Sequence, residues 1–549
     1  MKLEAQVTEL FHQFNFEFHK EKEMADFRKL FIVLAVMAFV AASAFGQPFA
    51  CNATTVTQTM RGGGITELSG DINLACSGTA TANPTLTSFV VQIQGGASAM
   101  TNTIVPPATA NGYLMVRAQL VVSDFTDTPI AAYPGYLQTS APTVALFPGV
   151  SLPTGTTSYV KITGLRVAAQ QVAAVTATIP VFATVSSTPT NVVSSTNPLL
   201  QIGTVYPALI MSVSGAPDSF VQCKYIEQSF DVTFQEQTVT SAFRNLVDEG
   251  AYTNYVGHIP GGVAANDATT GTRLLAVFSN VPAGVSIWVS NYNVGGTATA
   301  AYVPGADITG AGGSYTTGAA ATVQANVSGG VWYAVWEVTA EGLNTIDSLT
   351  FYVQPEYVAD PGAGLPGLTS TSTPTTLTGS FAPTSTDLFA SATDVIPRFQ
   401  ATNLTDSPLF TVEPCITNLL FPYVTNTEGY DTGLAIVNTS EDVFGTSSQT
   451  GACTLNFFGT ETVAPYATPT VNPGTVYADV LEDVGAAGFE GYIIAQCNFQ
   501  YGHGLAFIVN PGGVGTQYLA LVIPNLTDGT RPPNPFGHSP NGSGEQLGE

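Results

Sequence analysis

The sequence predicts an all-β protein: several tandem antiparallel β-sandwich modules behind a cleaved signal peptide. Three observations carry that expectation. Apolar residues fall in short groups, rich in Val, Phe and Tyr, that alternate with Thr, Gln and Asn, the period of strands with one buried face. Between the groups stand turn formers, with 54 Gly and 35 Pro in the chain. Helical periodicity is nearly absent, and only residues 240–249 read as a short helix.

Export is read from residues 30–46, an uncharged apolar run that follows Arg28 and Lys29 and closes on small residues. That is the layout of a secretory signal. A membrane-spanning helix needs about 20 apolar residues, and residues 30–42 supply 13 before Ser43. Cleavage is expected after Ala44 or Gly46. Cys51 as a lipidated first residue is disfavoured, because Pro48, Phe49 and Ala50 lack the usual upstream Leu. Residues 1–23 hold four Phe among His and acids and make no ordinary n-region. Lys20, Glu21, Lys22 and Glu23 have purine-rich codons, the composition of a translated ribosome-binding site. Met24 is therefore the expected start, with a long n-region as the alternative.

The first module is expected over residues 47–215. Ile72, Leu74 and Cys76 share one strand face, as do Phe89, Val91 and Ile93, and Leu114, Val116, Ala118, Leu120 and Val122. Cys51 is the nearby partner for Cys76, and a bridge there would pin the mature N-terminus for about 3 kcal/mol. The second module spans 216–396. Phe230, Val232 and Phe234 form one face, and Trp332, Ala334, Trp336 and Val338 another. The apolar groups at 274–278 and 285–289 flank a Pro/Gly turn and read as a hairpin. Residues 295–330 read as mobile loops, and 360–386, rich in Pro, Gly, Ser and Thr, as a linker. The third module spans 397–526. Cys453 and Leu455 share a face, as do Ile493, Ala495 and Cys497, so a Cys453–Cys497 bridge is expected. Cys223 and Cys415 remain by elimination, as a clamp between modules two and three. Residues 527–549 read as a disordered tail.

Composition excludes several function classes. The chain carries 14 Lys+Arg against 39 Asp+Glu. Removing the leader takes away five basic and six acidic residues, leaving a net charge of −24 with Lys161 and Lys224 the only lysines. Nucleic acid is thereby excluded as a partner, and anionic lipid is disfavoured. No apolar run after residue 46 is long enough to span a membrane. All six cysteines follow the leader without a Cys-x-x-Cys, which favours disulfides over metal ligation.

Several stretches together carry a family likeness. They are Ile-Thr-Glu-Leu-Ser-Gly-Asp-Ile-Asn-Leu-Ala-Cys at 65–76, Val-Lys-Ile-Thr-Gly-Leu-Arg-Val at 160–167, and the segment at 271–285. The remainder are Leu-Leu-Phe-Pro-Tyr-Val-Thr-Asn at 419–426, Asp-Thr-Gly-Leu-Ala-Ile-Val-Asn-Thr-Ser at 431–440, and the segment at 491–504. The set resembles uncharacterised exported β-rich proteins found as many paralogues in soil acidobacteria. The resemblance covers most of the mature chain. It implies export and multi-module β structure, and it brings no activity, cofactor or site residue with it.

A search for reaction chemistry finds no nucleophile elbow, zinc-protease motif, phosphate loop or dinucleotide fingerprint. The mature histidines are His258, His503 and His538. His503, between two glycines and beside Tyr501, is a candidate ligand-binding residue, with a turn histidine satisfied by backbone as the plainer reading. Asp479, Glu482, Asp483 and Glu490, and Glu227, Asp231 and Glu236, are the acidic groups able in principle to supply a carboxylate pair. A solvated face or a calcium loop explains them as well, although 479–483 lacks calcium-loop spacing. Trp288, Trp332 and Trp336 could stack on sugar rings; Trp332 and Trp336 are the candidates retained, although their apolar neighbours favour core packing. The expected function is therefore non-enzymatic: a structural or adhesive protein of the cell surface or extracellular matrix, with self-association through strand edges. The alternative is a secreted carbohydrate-binding or carbohydrate-processing protein, so that a glycan is the second candidate partner.

Overall fold

In the strand Ile72–Ser77, Ile72, Leu74 and Cys76 are buried while Asn73 is exposed. The same alternation recurs along the chain and explains why it folds as sheets: each strand turns one face inward and leaves the other for polar residues. A computed structural model describes residues 49–523, apart from 79–84, 106–112, 125, 139, 154–156, 173–176, 189–192, 196–198, 223–225, 227, 239–241, 251–267, 317–319, 343–344, 359–364, 370–371, 392, 402–405, 445 and 447. The expected leader and the tail at 527–549 lie outside the described residues. So do Cys223, Glu227, His258 and His538.

The protein is an all-β assembly of three bodies, as the alternation predicts. In the first, eleven strands form one sheet and three short strands a second. Residues from opposite ends of the long sheet, such as Leu74 and Ile202, lie in one hydrophobic core, so the sheet curls over on itself. Phe49–Thr55 runs antiparallel to Ile72–Ser77 with Cys51 directly opposite Cys76, and the two are disulfide-bonded.

The second body packs a six-stranded against a seven-stranded sheet around Phe230, Phe234, Phe278, Trp336 and Phe351. Four local expectations are corrected here. Leu209–Ser214, read as the end of the first module, pairs with Phe230–Glu236 and belongs to this body. Ser407–Glu413, read as part of the third, pairs with Thr375–Ala382 and Asp218–Val221. Thr375–Ala382 itself lies within the expected linker, yet it is an interior strand beside Arg273–Ser279; Leu377 and Phe381 bury there, and Gly379 lets Met211 and Phe234 approach its backbone. Residues 295–330, read as loops, contribute the short strands Thr299–Tyr302, Thr322–Gln324 and Asn326–Ser328. In addition, Arg273–Ser279 and Val285–Ser290 do not form a hairpin. Each pairs in a different sheet, and the turn between them, with Asn280 at φ 57° and Gly284 at φ 80°, arches the chain across the core.

The third body packs a five-stranded on a four-stranded sheet. Cys453 stands opposite Cys497 and is bonded to it. Cys415 is also disulfide-bonded; its expected partner, Cys223, is outside the described residues. The expected helix is a single turn, Leu246–Glu249, capped by the Asn245 side chain, which accepts from the N–H groups of Val247 and Asp248.

That turn carries Glu249 into a buried joint between the first two bodies. Arg61 reaches across to Glu249, with Nη2–Oε2 at 3.0 Å, and its Nε donates to Glu67 Oε1 at 2.9 Å. Thr272 Oγ1 donates to Glu249 Oε1 at 3.0 Å, and Arg244 Nη2 donates to the Thr59 carbonyl at 2.8 Å. Arg166 donates to the carbonyls of Thr66 and Glu249. The Arg61 guanidinium lies 4.8 Å from the Phe399 ring centroid. Burial alone would lower the Arg61 pKa, but the carboxylates of Glu249 and Glu67 outweigh it and raise the value. Burial would raise the Glu249 carboxyl; Arg61 and Arg244 overcome that and hold it below the usual range.

Candidate functional site

The retained tryptophans differ in their surroundings. Trp336 is fully buried: its ring stacks on Phe351 at 4.1 Å between centroids, and its Nε1 donates to the Ser290 carbonyl at 2.9 Å. It therefore offers no face to a solute, because the inward parity of its strand places it mid-core. Trp332, half-buried on the same parity, packs against the margin of that core and stands opposite Phe278. His503 is half-buried on the strand Gly502–Val509, opposite Val437, rather than in a turn.

The acidic candidates Glu236, Asp479 and Glu490 are each engaged by local partners. Glu236 is buried and structural: its carboxylate accepts from the backbone N–H groups of Phe243 and Asp347, each at 2.8 Å, and burial pushes its pKa up. Asp479 accepts from the Tyr477 hydroxyl at 3.3 Å, while Glu490 lies beside Tyr423 and Thr427. Among the described residues, no three His, Cys, Asp or Glu side chains gather as a metal cage would require.

Two surface features stand out instead. The first is a groove of about 650 Å³ on the outer face of the six-stranded sheet. In Val285–Ser290, Val285, Ile287 and Val289 take the core, so Ser286 and Trp288 are turned outward by parity. Trp288 stands between Gln354 on one neighbouring strand and Gln324 on the other, and Ser286 stands opposite Glu356. Gln354, Glu356 and Thr322 are exposed and line the groove beside Trp288 and Ser286. Tyr357 closes one end, its hydroxyl donating to the Val221 carbonyl at 2.7 Å; burial raises its pKa to about 12. The Trp288 Nε1 is buried and has no hydrogen-bond partner among the described residues. The sequence held the signal for this site, since an aromatic at the polar parity of an otherwise regular strand is out of pattern. Its neighbours Gln354 and Glu356 lie 66 and 68 residues further along the chain, which no local motif encodes.

The second feature is an open edge on the third body. Gly515–Leu519 ends the four-stranded sheet, paired on one side with Gly502–Val509. The Ala520 N–H donates to the Gly504 carbonyl and the Asn510 N–H to the Val514 carbonyl. Antiparallel alternation then turns the backbone groups of Val514, Thr516, Tyr518 and Ala520 toward the neighbour, and those of Gly515, Gln517 and Leu519 outward. Val509, Val514 and Leu519 add exposed apolar side chains along this margin.

No family model matches this chain, and no curated protein matches it. Among solved structures it is similar to the major pilin subunit BcpA of Bacillus cereus, at 8% identity over 78% of this chain and 95% of that one, with a TM-score of 0.25. The full-length major pilin SpaD of Corynebacterium diphtheriae aligns at 9% identity over 86% and 90%, TM-score 0.17. The CupB6 tip adhesin of Pseudomonas aeruginosa aligns at 10% identity over 66% and 96%, TM-score 0.15.

Proposed function

We propose that this chain is an exported, non-enzymatic structural or adhesive protein of the cell surface or extracellular matrix, and that it associates with further copies through open strand edges. The observation that carries this reading is the Gly515–Leu519 edge, which turns outward backbone groups that pair with no other strand among the described residues, beside exposed apolar side chains. Such an edge is a template for an added strand, with main-chain hydrogen bonds supplying affinity. The disulfides suit an oxidising compartment. No helix among the described residues is long and apolar enough to cross a membrane. Copies with so large a negative charge repel at low ionic strength, so salt should promote their association.

Sedimentation velocity and negative-stain microscopy of the purified mature chain test the proposal. Oligomers or filaments that grow with concentration and salt are expected. Gln517→Pro removes an outward-facing N–H without breaking the inner ladder, and should abolish them at an unchanged melting temperature. A parent chain that stays monomeric throughout, or a Gln517→Pro variant that assembles equally well, overturns it.

A further inference from the structure

We infer that the groove around Trp288 is a binding site for a neutral oligosaccharide, a role that goes beyond strand-edge assembly and does not depend on it. The groove combines the two kinds of surface a sugar presents. A pyranose ring has a face of C–H groups and a rim of hydroxyls; the first calls for a flat apolar surface, the second for side chains that donate and accept in plane. Trp288 supplies the flat surface. Gln354 offers one donor group and one acceptor, Glu356 an acceptor pair, and Ser286 and Thr322 hydroxyls that can do either. These groups surround the indole from two strands rather than lying on one side of it.

Charge narrows the ligand class. Among the described residues no Lys or Arg lines the groove, and Glu356 is the one carboxylate. A phosphate, sulfate or uronate would meet an unbalanced negative charge there, in a protein already strongly acidic. A single carboxylate also separates the site from glycoside hydrolysis, which ordinarily uses two, about 5–9.5 Å apart. The volume, about 650 Å³, lies within the range of sites that enclose small organic ligands. The described lining therefore suits holding a neutral sugar rather than cutting it.

Isothermal titration calorimetry of the mature chain against cellotetraose, xylotetraose and chitotetraose, with an oligogalacturonate as the acidic control, tests the inference. Saturable binding of at least one neutral oligosaccharide and none of the acidic one is expected. Trp288→Ala should weaken that binding about tenfold or more, and Trp332→Phe should leave it unchanged. Gln354→Ala alters an exposed side chain and should weaken binding at an unchanged melting temperature, which decides the matter if Trp288→Ala unfolds the second body. The inference is overturned if no neutral oligosaccharide binds, if the acidic one binds as well, or if Gln354→Ala and a folded Trp288→Ala both bind like the parent. Because the readout is sugar affinity and not assembly, a monomeric chain that binds cellotetraose would sink the strand-edge proposal and leave this one standing.

Discussion

Glu341 sits against the one-turn helix, where its carboxylate accepts from the Asn245 N–H at 2.6 Å and faces Asp248. Burial, with Asp248 beside it, pushes its pKa up from 4.5 to about 8. The folded chain therefore holds this proton more tightly than the unfolded chain does. The resulting stabilisation is complete below about pH 4.5 and is lost as pH rises toward 8. Glu341→Gln should flatten this part of the profile: thermal melts should show the variant above its parent near pH 8 and level with it near pH 4.5. Glu249 acts in the opposite sense. Its carboxyl is held below the usual value by Arg61 and Arg244, so its contribution is present above the ordinary carboxylate range and is lost as pH falls through its lowered pKa.

At the scale of elements, the strands Cys453–Gly459 and Glu490–Cys497 show how a disulfide is specified. Cys453 and Cys497 are cross-strand partners on the buried face, and their bond closes a sequence separation of 44. Removing both by Cys→Ala should lower the stability of the third body by about 4 kcal/mol. Urea melts followed by a probe in that body should register the loss, with the first body's transition unmoved. Both cysteines were legible because alternation says which way each side chain points. The same rule exposed Phe230, Val232 and Phe234 as a core face. Alternation does not say which strands become neighbours, so the arch between Arg273–Ser279 and Val285–Ser290 read as a hairpin. Nor does it register strands built of small and turn-forming residues. Thr375–Ala382 was masked by its Pro- and Thr-rich flanks, although Leu377 and Phe381 are buried in it. Trp332 and Trp336 were retained from the sequence, although the polar parity of Trp288 marks it as the out-of-pattern aromatic; the groove around it depends on pairing across distant sequence.

Over the whole molecule, the decisive economy is in arginine. Arg61, Arg166, Arg244, Arg273 and Arg398 are all buried, so most of the nine Lys and Arg that follow residue 46 serve the interior. Arg61 and Arg244 meet the carboxylates of Glu67 and Glu249 in the joint between the first two bodies, and Arg166 donates to the Glu249 carbonyl. Charges placed there fix relative orientation, because any other docking would leave them buried and unpaired. Removing one partner by Glu249→Ala should cost about 3–5 kcal/mol, read as a lower urea midpoint. The burial of arginine has a further consequence for digestion. Trypsin cleaves after Lys and Arg, and in the folded chain five such sites are withdrawn from it; Arg531 precedes Pro532, a bond trypsin passes over. Lys161 lies in Ser158–Thr163, paired with a strand on each side, and in Tyr113–Ser123 the Arg117 N–H donates to Thr103 and its carbonyl accepts from Asn102, so neither backbone is free to enter a protease cleft. These sites should therefore resist trypsin in the folded chain; Lys224, the remaining one after residue 46, lies outside the described residues. In the Glu249→Ala variant, fragments ending at Arg61, Arg166 or Arg244 would report the joint coming open.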